Sequence, residues 1–373
     1  MEDSRKMRST FRVTLTLFIV FLAAVVAFGI LHTRADEKKN DSGEASPSSS
    51  ASESASESAA PSGSAADSGS GAAAVAEDQL VNVQGVNYIV SGGEAASLFV
   101  YNKSAADQYA NALNRFKASI DASVRVYSLL VPTAGEFSDS ELAKNNSDSQ
   151  KEAFAHIGEL LDPGIVQVDA YDALASHLDD YVYYRTDHHW TALGAYYAYK
   201  VFAEATGEQP ASLDDFKEGT IGDFLGSEYK TLQLEELKAN PDTIVYYTPT
   251  SDYEYTAYST KNAPLNRDLV NAKYANDTNG LYAVFMGGDT PWGEITTESA
   301  SGRTLLVVKD SYANAFIPYL LDHYSKIYYV DPRSYTGNLT DFATEKQATD
   351  VLFLNNATVA RITGIAELID SLL

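Results

Sequence analysis

The 373-residue sequence predicts an α/β domain with a mainly parallel sheet flanked by helices. Three observations carry that reading. Five short runs rich in Val, Ile, Leu and Tyr have the look of strands buried on both faces. Helical patterns alternate with them, the rhythm of βα units. From about residue 219 to 295 the rhythm breaks into a Tyr- and Thr-rich stretch with weak alternation, which reads as an insertion of antiparallel strands.

In chain order, the first element precedes the domain. Residues 13–31, VTLTLFIVFLAAVVAFGIL, run 19 positions without a charge, enough for a helix to cross a bilayer. Arg5, Lys6, Arg8 and Arg12 stand before it, so residues 1–12 are expected on the cytoplasmic side. A signal peptide has a shorter apolar core and small residues at its cleavage site. The HTRADEKKN after this run offers no such site, so an uncleaved single-pass anchor is expected, with a cleaved and secreted form as the alternative. Residues 32–77 read as a disordered linker. Their centre, residues 40–74, holds 13 Ser, 10 Ala, 4 Gly and five acids without a base, too little apolar surface to offset the entropy of ordering. The domain, residues 78–373, is therefore expected outside the cell membrane, within a cell wall.

Composition narrows the chemistry. The absence of cysteine excludes disulfides, thiolate metal sites and a cysteine nucleophile. A net charge of -24 leaves little to meet phosphates, so no nucleic-acid partner is expected.

Within the domain, residues 104–120 place Ala106, Tyr109, Ala110, Leu113, Phe116 and Ile120 at helical spacing. The β-branched run 124–132 follows and ends at a proline, as a buried strand does. Ile165–Val168 is a second strand leading to a helix. The segment YYRTDHHWTALGAYYAY then puts Thr191 before a helical pattern, with Leu193, Tyr197, Val201 and Phe202 on one face and Gly207 as the stop. Residues 304–308, 326–331 and 350–356 supply three more strands, the first followed by the helical pattern YANAFIPYLLDHY.

Two of the six histidines are adjacent, in Asp187-His188-His189-Trp190, on a turn just before that helix start. In an extended stretch, residues two apart point the same way, so Asp187 and His189 are expected to converge while His188 points elsewhere. A carboxylate beside an imidazole fixes its tautomer and stabilises the imidazolium it forms on taking a proton. The residues alone equally admit backbone hydrogen bonds at a helix cap. No metal is expected, because adjacent histidines do not readily aim at one ion and no third ligand stands at a suitable spacing. Ser311 follows a buried strand and Asp310 and opens a helix, a context like the nucleophile turn of serine hydrolases, with backbone N–H groups nearby for an oxyanion. An ordinary helix cap is the plainer role for such a serine. Gly288 and Asp289 follow an apolar strand in FMGGDTPW and are candidates for the substrate or oxyanion site, as is Tyr312 beside Ser311. Arg333 is placed to meet substrate, or to pair with Asp331.

The segment YYRTDHHWTALGAYYAY resembles the signature of the bacterial DHHW proteins. These are similar to the SGNH-hydrolase-like acetyltransferase domains of the alginate acetylation proteins AlgX and AlgJ. VYSLLVPTAGEF, FMGGDTPW, LLVVKDSYANAFIPYLLDHY and VDPRSY resemble further stretches of the family in the same order, from about Leu80 to the C-terminus. The resemblance implies an SGNH-like fold and a triad of Asp187, His189 and Ser311. It implies acetyl transfer to hydroxyls of a cell-surface or cell-wall polysaccharide, a membrane-bound O-acyltransferase as the partner that supplies the acyl group, and no cofactor. Two other outcomes stay open: an extracellular carbohydrate esterase using the same triad, and a non-catalytic glycan-binding or wall-assembly protein.

Overall fold

The computed structural model describes residues 77–276 and 280–373, all within the second of two units, Ala72–Leu373. The expected anchor and nearly all of the linker lie outside the described residues, among which no helix is long and apolar enough to cross a membrane.

The chain enters through a three-stranded antiparallel sheet, β1 (Gln79–Val83), β2 (Val86–Ser91) and β3 (Glu94–Ser97). Helix α1 (Lys103–Ser119) starts where the Asn102 side chain accepts hydrogen bonds from the N–H groups of Ser104 and Ala105. Its predicted stripe, Ala106, Tyr109, Ala110, Leu113 and Phe116, is buried. Strand β4 (Arg125–Val131), helices α2 (Glu141–Asn146) and α3 (Gln150–Leu160), β5 (Ile165–Val168) and α4 (Ala170–Ala175) follow. Helix α5 (Ala192–Thr206) is capped by the Thr191 hydroxyl on the Gly194 N–H and closed by left-handed Gly207 at φ 83°. The face expected to be buried is only partly so. Phe202 is buried, but Leu193, Tyr197 and Val201 are half-exposed, and Ala195, Ala198, Tyr199 and Ala203 point inward instead. Alanine carries a weak apolar signal, yet its small side chain lets a helix approach its neighbours closely.

Strand β6 (Phe216–Phe224), helices α6 (Ser227–Leu232) and α7 (Glu235–Lys238) and strand β7 (Asp242–Pro249) come next, β6 and β7 forming an antiparallel pair. Strands β8 (Tyr253–Tyr258), β9 (Pro264–Asn266) and β10 (Trp292–Thr297) join the main sheet. Strand β11 (Thr304–Lys309) leads to helix α8 (Ala313–Phe316), which tightens into a 3₁₀ turn at Ile317–Leu320. The longer helix that YANAFIPYLLDHY suggests does not form; Pro318 lacks the N–H that α-helical bonding needs. Strand β12 (Lys326–Val330), α9 (Leu339–Glu345), β13 (Asp350–Asn356) and α10 (Gly364–Ser371) complete the chain.

The main sheet runs β5-β4-β13-β11-β12-β10-β8-β9. Its first five strands are parallel, and β10, β8 and β9 extend it antiparallel. Side chains alternate between two cores. Leu305, Val307, Leu352 and Leu354 face one, with α5; Leu306, Val308, Val351 and Phe353 face the other, with α1 and α3. With β4, β13, β11 and β12 buried on both faces, the carboxyl edge of the parallel strands is the place for irregular, functional backbone.

Candidate active site

Ser311 stands at that edge, two residues beyond β11. Buried Asp310 pins the turn: its carboxylate accepts the N–H of Tyr312 at 2.9 Å and of Asn356, at the end of β13, at 2.8 Å. The Ser311 N–H itself has no acceptor among the described residues.

The Asp187–Trp190 turn meets this edge. His189 Nε2 lies 2.8 Å from Ser311 Oγ, and His189 Nδ1 lies 2.6 Å from Asp187 Oδ1. Asp187 and His189 are 5% and 7% exposed, so the hydrogen-bonded line is largely shielded from water. Burial alone would raise the Asp187 carboxyl; the charge and hydrogen bond of His189, and the Ser227 N–H, outweigh it and hold the group well below the usual carboxylate range. An ionised Asp187 accepts from Nδ1–H, which leaves Nε2 as the lone-pair nitrogen facing the serine hydroxyl.

Two cross-bonds lock the Asp187–Trp190 turn to the Ser311 turn. Buried Trp190 donates its indole N–H to the Tyr312 carbonyl at 2.9 Å, and the Tyr312 hydroxyl donates to the His188 carbonyl. Gly226 lets the backbone close on the triad acid, since a Cβ there would sit 2.2 Å from Asp187 Cβ. The neighbouring Ser227 N–H then reaches Asp187 Oδ2 at 2.8 Å. On the other side the Tyr282 ring stacks on His189, centroids 3.9 Å apart and planes 6° from parallel. The sequence reading missed Gly226, Ser227 and Tyr282. They come from an irregular segment whose return to this edge leaves no periodic signal.

A family model described as DHHW protein matches residues 58–330. The chain belongs to the DHHW family. Among solved structures, the crystal structure of a DHHW family protein from Eubacterium siraeum is similar at 34% identity and a TM-score of 0.72, covering 79% of this chain and 97% of that one. The structure of Bacillus cereus PatB1 with a sulfonyl adduct shares the fold at 17% identity and a TM-score of 0.64, covering 77% and 98%. The O-acetyltransferase domain of Pseudomonas putida AlgJ aligns over 79% of this chain and all of that one, but at 15% identity and a TM-score of 0.43 it is too distant to argue from. No curated protein matches.

The first histidine of the DHHW motif departs from the expectation. His188 is exposed and bonds Ser227, through its N–H at 3.1 Å and its Nδ1 at 2.6 Å, rather than Asp187 or Ser311. Yet it does not point away, for its ring centroid lies 3.8 Å from that of His189. Crowding by surrounding atoms, then the neighbouring His189 charge, push its pKa down to about 4. Asp187, His188 and His189 bring ligand atoms within 4.8 Å of one another. Asp187 is engaged by His189 and Ser227, His189 by Asp187 and Ser311, and His188 Nδ1 by Ser227, while His188 Nε2 is unengaged among the described residues. An ion held by all three would compete with the bonds that orient Asp187 and His189.

The remaining candidates divide. Gly288 is not an oxyanion donor, because its N–H is bonded to the Phe285 carbonyl at 3.1 Å. Tyr312 is not one either: its N–H is held by Asp310 and its side chain is buried against the DHHW turn. Asp289 accepts from Lys309 Nζ at 3.1 Å, Asn314 Nδ2 at 2.9 Å and Arg333 at 2.7 Å. Arg333 also pairs with Asp331, as the plainer reading held, its Nε lying 2.9 Å from Asp331 Oδ1. Asp289 and Arg333 form a fixed, half-exposed rim rather than free substrate contacts.

Proposed function

We propose that this DHHW protein transfers an acyl group, in the first instance acetyl, to a hydroxyl of an extracytoplasmic polysaccharide through a covalent intermediate on Ser311. The observation that carries the reading is the continuous line from Ser311 Oγ through His189 to Asp187, with bonds of 2.8 Å and 2.6 Å. His189 Nε2 takes the hydroxyl proton as Ser311 Oγ attacks the acyl carbonyl carbon. The carbonyl oxygen becomes an oxyanion, for which the unengaged Ser311 N–H is the nearest candidate donor. The intermediate collapses, the leaving group takes the proton from His189, and an acyl-serine remains. An acceptor hydroxyl then gives its proton to His189 and attacks the ester, and Ser311 Oγ departs with that proton. Asp187 stays ionised and steadies the imidazolium in both halves. A membrane-bound O-acyltransferase is the proposed source of the acyl group, and the expected anchor at residues 13–31 would hold the two in one membrane.

Incubating the full chain with an aryl acetate, with and without an oligosaccharide, tests this. Acetate release should require Ser311, and mass spectrometry should find an acetylated serine peptide and acetylated sugar. Equal release by Ser311→Ala would overturn the acyl-enzyme; release to water alone, with no sugar product under any acceptor, would replace transfer by hydrolysis.

A further inference from the structure

Beside the triad, on the His188 side, lies a cavity of about 230 Å³. Its lining includes His188 and Tyr312, Glu228 of α6, Tyr88 of β2, and Thr358 and Arg361 beyond β13. This space gathers groups that the acyl-transfer chemistry does not use.

Glu228 is 4% exposed, and no basic side chain among the described residues pairs with it. Burial, then the Asp187 charge, raises its pKa to about 8, so at neutral pH it presents an O–H donor and a C=O acceptor. Arg361 is half-buried, and its guanidinium has no ion-pair or hydrogen-bond partner among the described residues. The phenol of Tyr88 has no hydrogen-bond partner among them either, and lies close enough to Glu228 and Arg361 to feel both charges. His188 spends Nδ1 on Ser227 and keeps Nε2 unengaged. A cavity lined this way has donors, acceptors and aromatic surface but no cluster of like charge. Inorganic anions would find a single cation, Arg361, and an acyl chain would strand the polar groups. A polyhydroxylated ring satisfies donors and acceptors together.

We infer that this cavity is a subsite for the acceptor glycan, holding by Glu228, Arg361 and Tyr88 one neutral sugar ring next to the ring whose hydroxyl reaches Ser311, with His188 between this ring and the triad. The inference rests on the acyl-transfer reading and names where its acceptor docks.

The test is saturation-transfer NMR on the full chain with glucose, galactose, mannose, N-acetylglucosamine and glucuronate, each at high millimolar concentration. At least one neutral sugar should bind. Glu228→Ala and Arg361→Gln should each weaken it about tenfold, the worth of one good hydrogen bond to a buried or charged group. Glu228→Gln keeps a donor and an acceptor in place and should bind within about threefold of the parent. Arg361→Gln alters a half-exposed side chain, so it stays informative if Glu228→Ala does not fold. Binding by no sugar, by glucuronate alone, or with affinity untouched by these substitutions overturns the inference. Sugar binding without any aryl-acetate turnover would spare it and remove acyl transfer; turnover without sugar binding would do the reverse.

Discussion

Two acid–base clusters meet the Ser311 turn, and they use charge in opposite ways. In the first, Asp187 faces His189, which in the proposed mechanism gains a charge with each proton taken from the serine. In the second, Lys309, 1% exposed, lies 3.1 Å from Asp289 and 3.8 Å from Asp331, and Arg333 bridges the same two acids at 2.7 Å and 2.5 Å. Every member there is locked. Burial would raise the Asp289 carboxyl, but Lys309 and Arg333 hold it well below the carboxylate range; burial would lower Lys309 and Arg333, and their acids hold both up. Such a ring moves no proton. It ties the segment before β10, the end of β11 and the loop after β12 to one another beside Ser311.

The largest effects should come from the first cluster. Ser311→Ala and Asp187→Asn should each lower acyl turnover by about three to four orders of magnitude, the second because the imidazole loses its correct tautomer. Circular dichroism melts should move little. Near-parental turnover in Asp187→Asn would mean that His189 is oriented by something other than this acid.

Lys309→Met reverses the pattern. It leaves Asp331, 1% exposed, with Arg333 as its only close cation. Urea unfolding should show a loss of about 3 kcal/mol, typical of breaking a buried pair, while turnover falls far less than in Ser311→Ala. Unchanged stability with abolished turnover would dissolve the distinction between the clusters.

How far these clusters were legible in the sequence follows from what kind of signal each leaves. The strands β4, β11, β12 and β13 were legible because burial on both faces leaves nearly unbroken apolar runs. Thr191 and Gly207 were legible because caps follow local rules. Asp187, His189 and Ser311 stood out as reactive side chains at element boundaries, and the family resemblance named them together. Lys309 had a signal that went unread: a lysine ending the apolar run LLVVK has to find acids. Tyr282, Gly226 and Ser227 had none, since stacking, close approach and a single N–H depend on where irregular backbone returns in space. The Gly288 and Tyr312 N–H groups were misjudged for the same reason, as the sequence does not say which amides are already bonded.

Glu228 sharpens the contrast, for it is a carboxyl beside Asp187 held in the opposite state. Its folded pKa is about 8, above the roughly 4.3 of an unfolded glutamate, so between those values the folded chain binds the extra proton. Stability from this group is complete below about pH 4 and is lost as pH rises toward 8, with a slope of up to about 1.4 kcal/mol per pH unit. Asp187 and Asp289 are depressed, so their contributions are already in place above pH 4 and do not titrate in this window. Glu228→Gln should flatten denaturant-derived stability between pH 5 and 8. A slope equal to the parent's would place the titrating group elsewhere.

The smallest expected effect tests whether the first cluster ends at its hydrogen bonds. The Tyr282 ring lies flat on His189, its face toward the imidazole, and its hydroxyl is buried without a partner. The hydroxyl therefore contributes nothing that Phe would lose, and Tyr282→Phe should keep turnover within about twofold. Tyr282→Leu fills much of the space but removes the aromatic face that favours a cation over it. Stacked pairs are worth about 0.5–1.5 kcal/mol, so kcat/KM should fall about three- to tenfold. Loss of that face disfavours the imidazolium, so the acid limb of the pH profile should move to lower pH in the Leu variant and stay in the Phe variant. If Leu and Phe give the same profile, Tyr282 is packing alone, and the proton-moving cluster consists of Asp187, His189 and Ser311 without an aromatic fourth member.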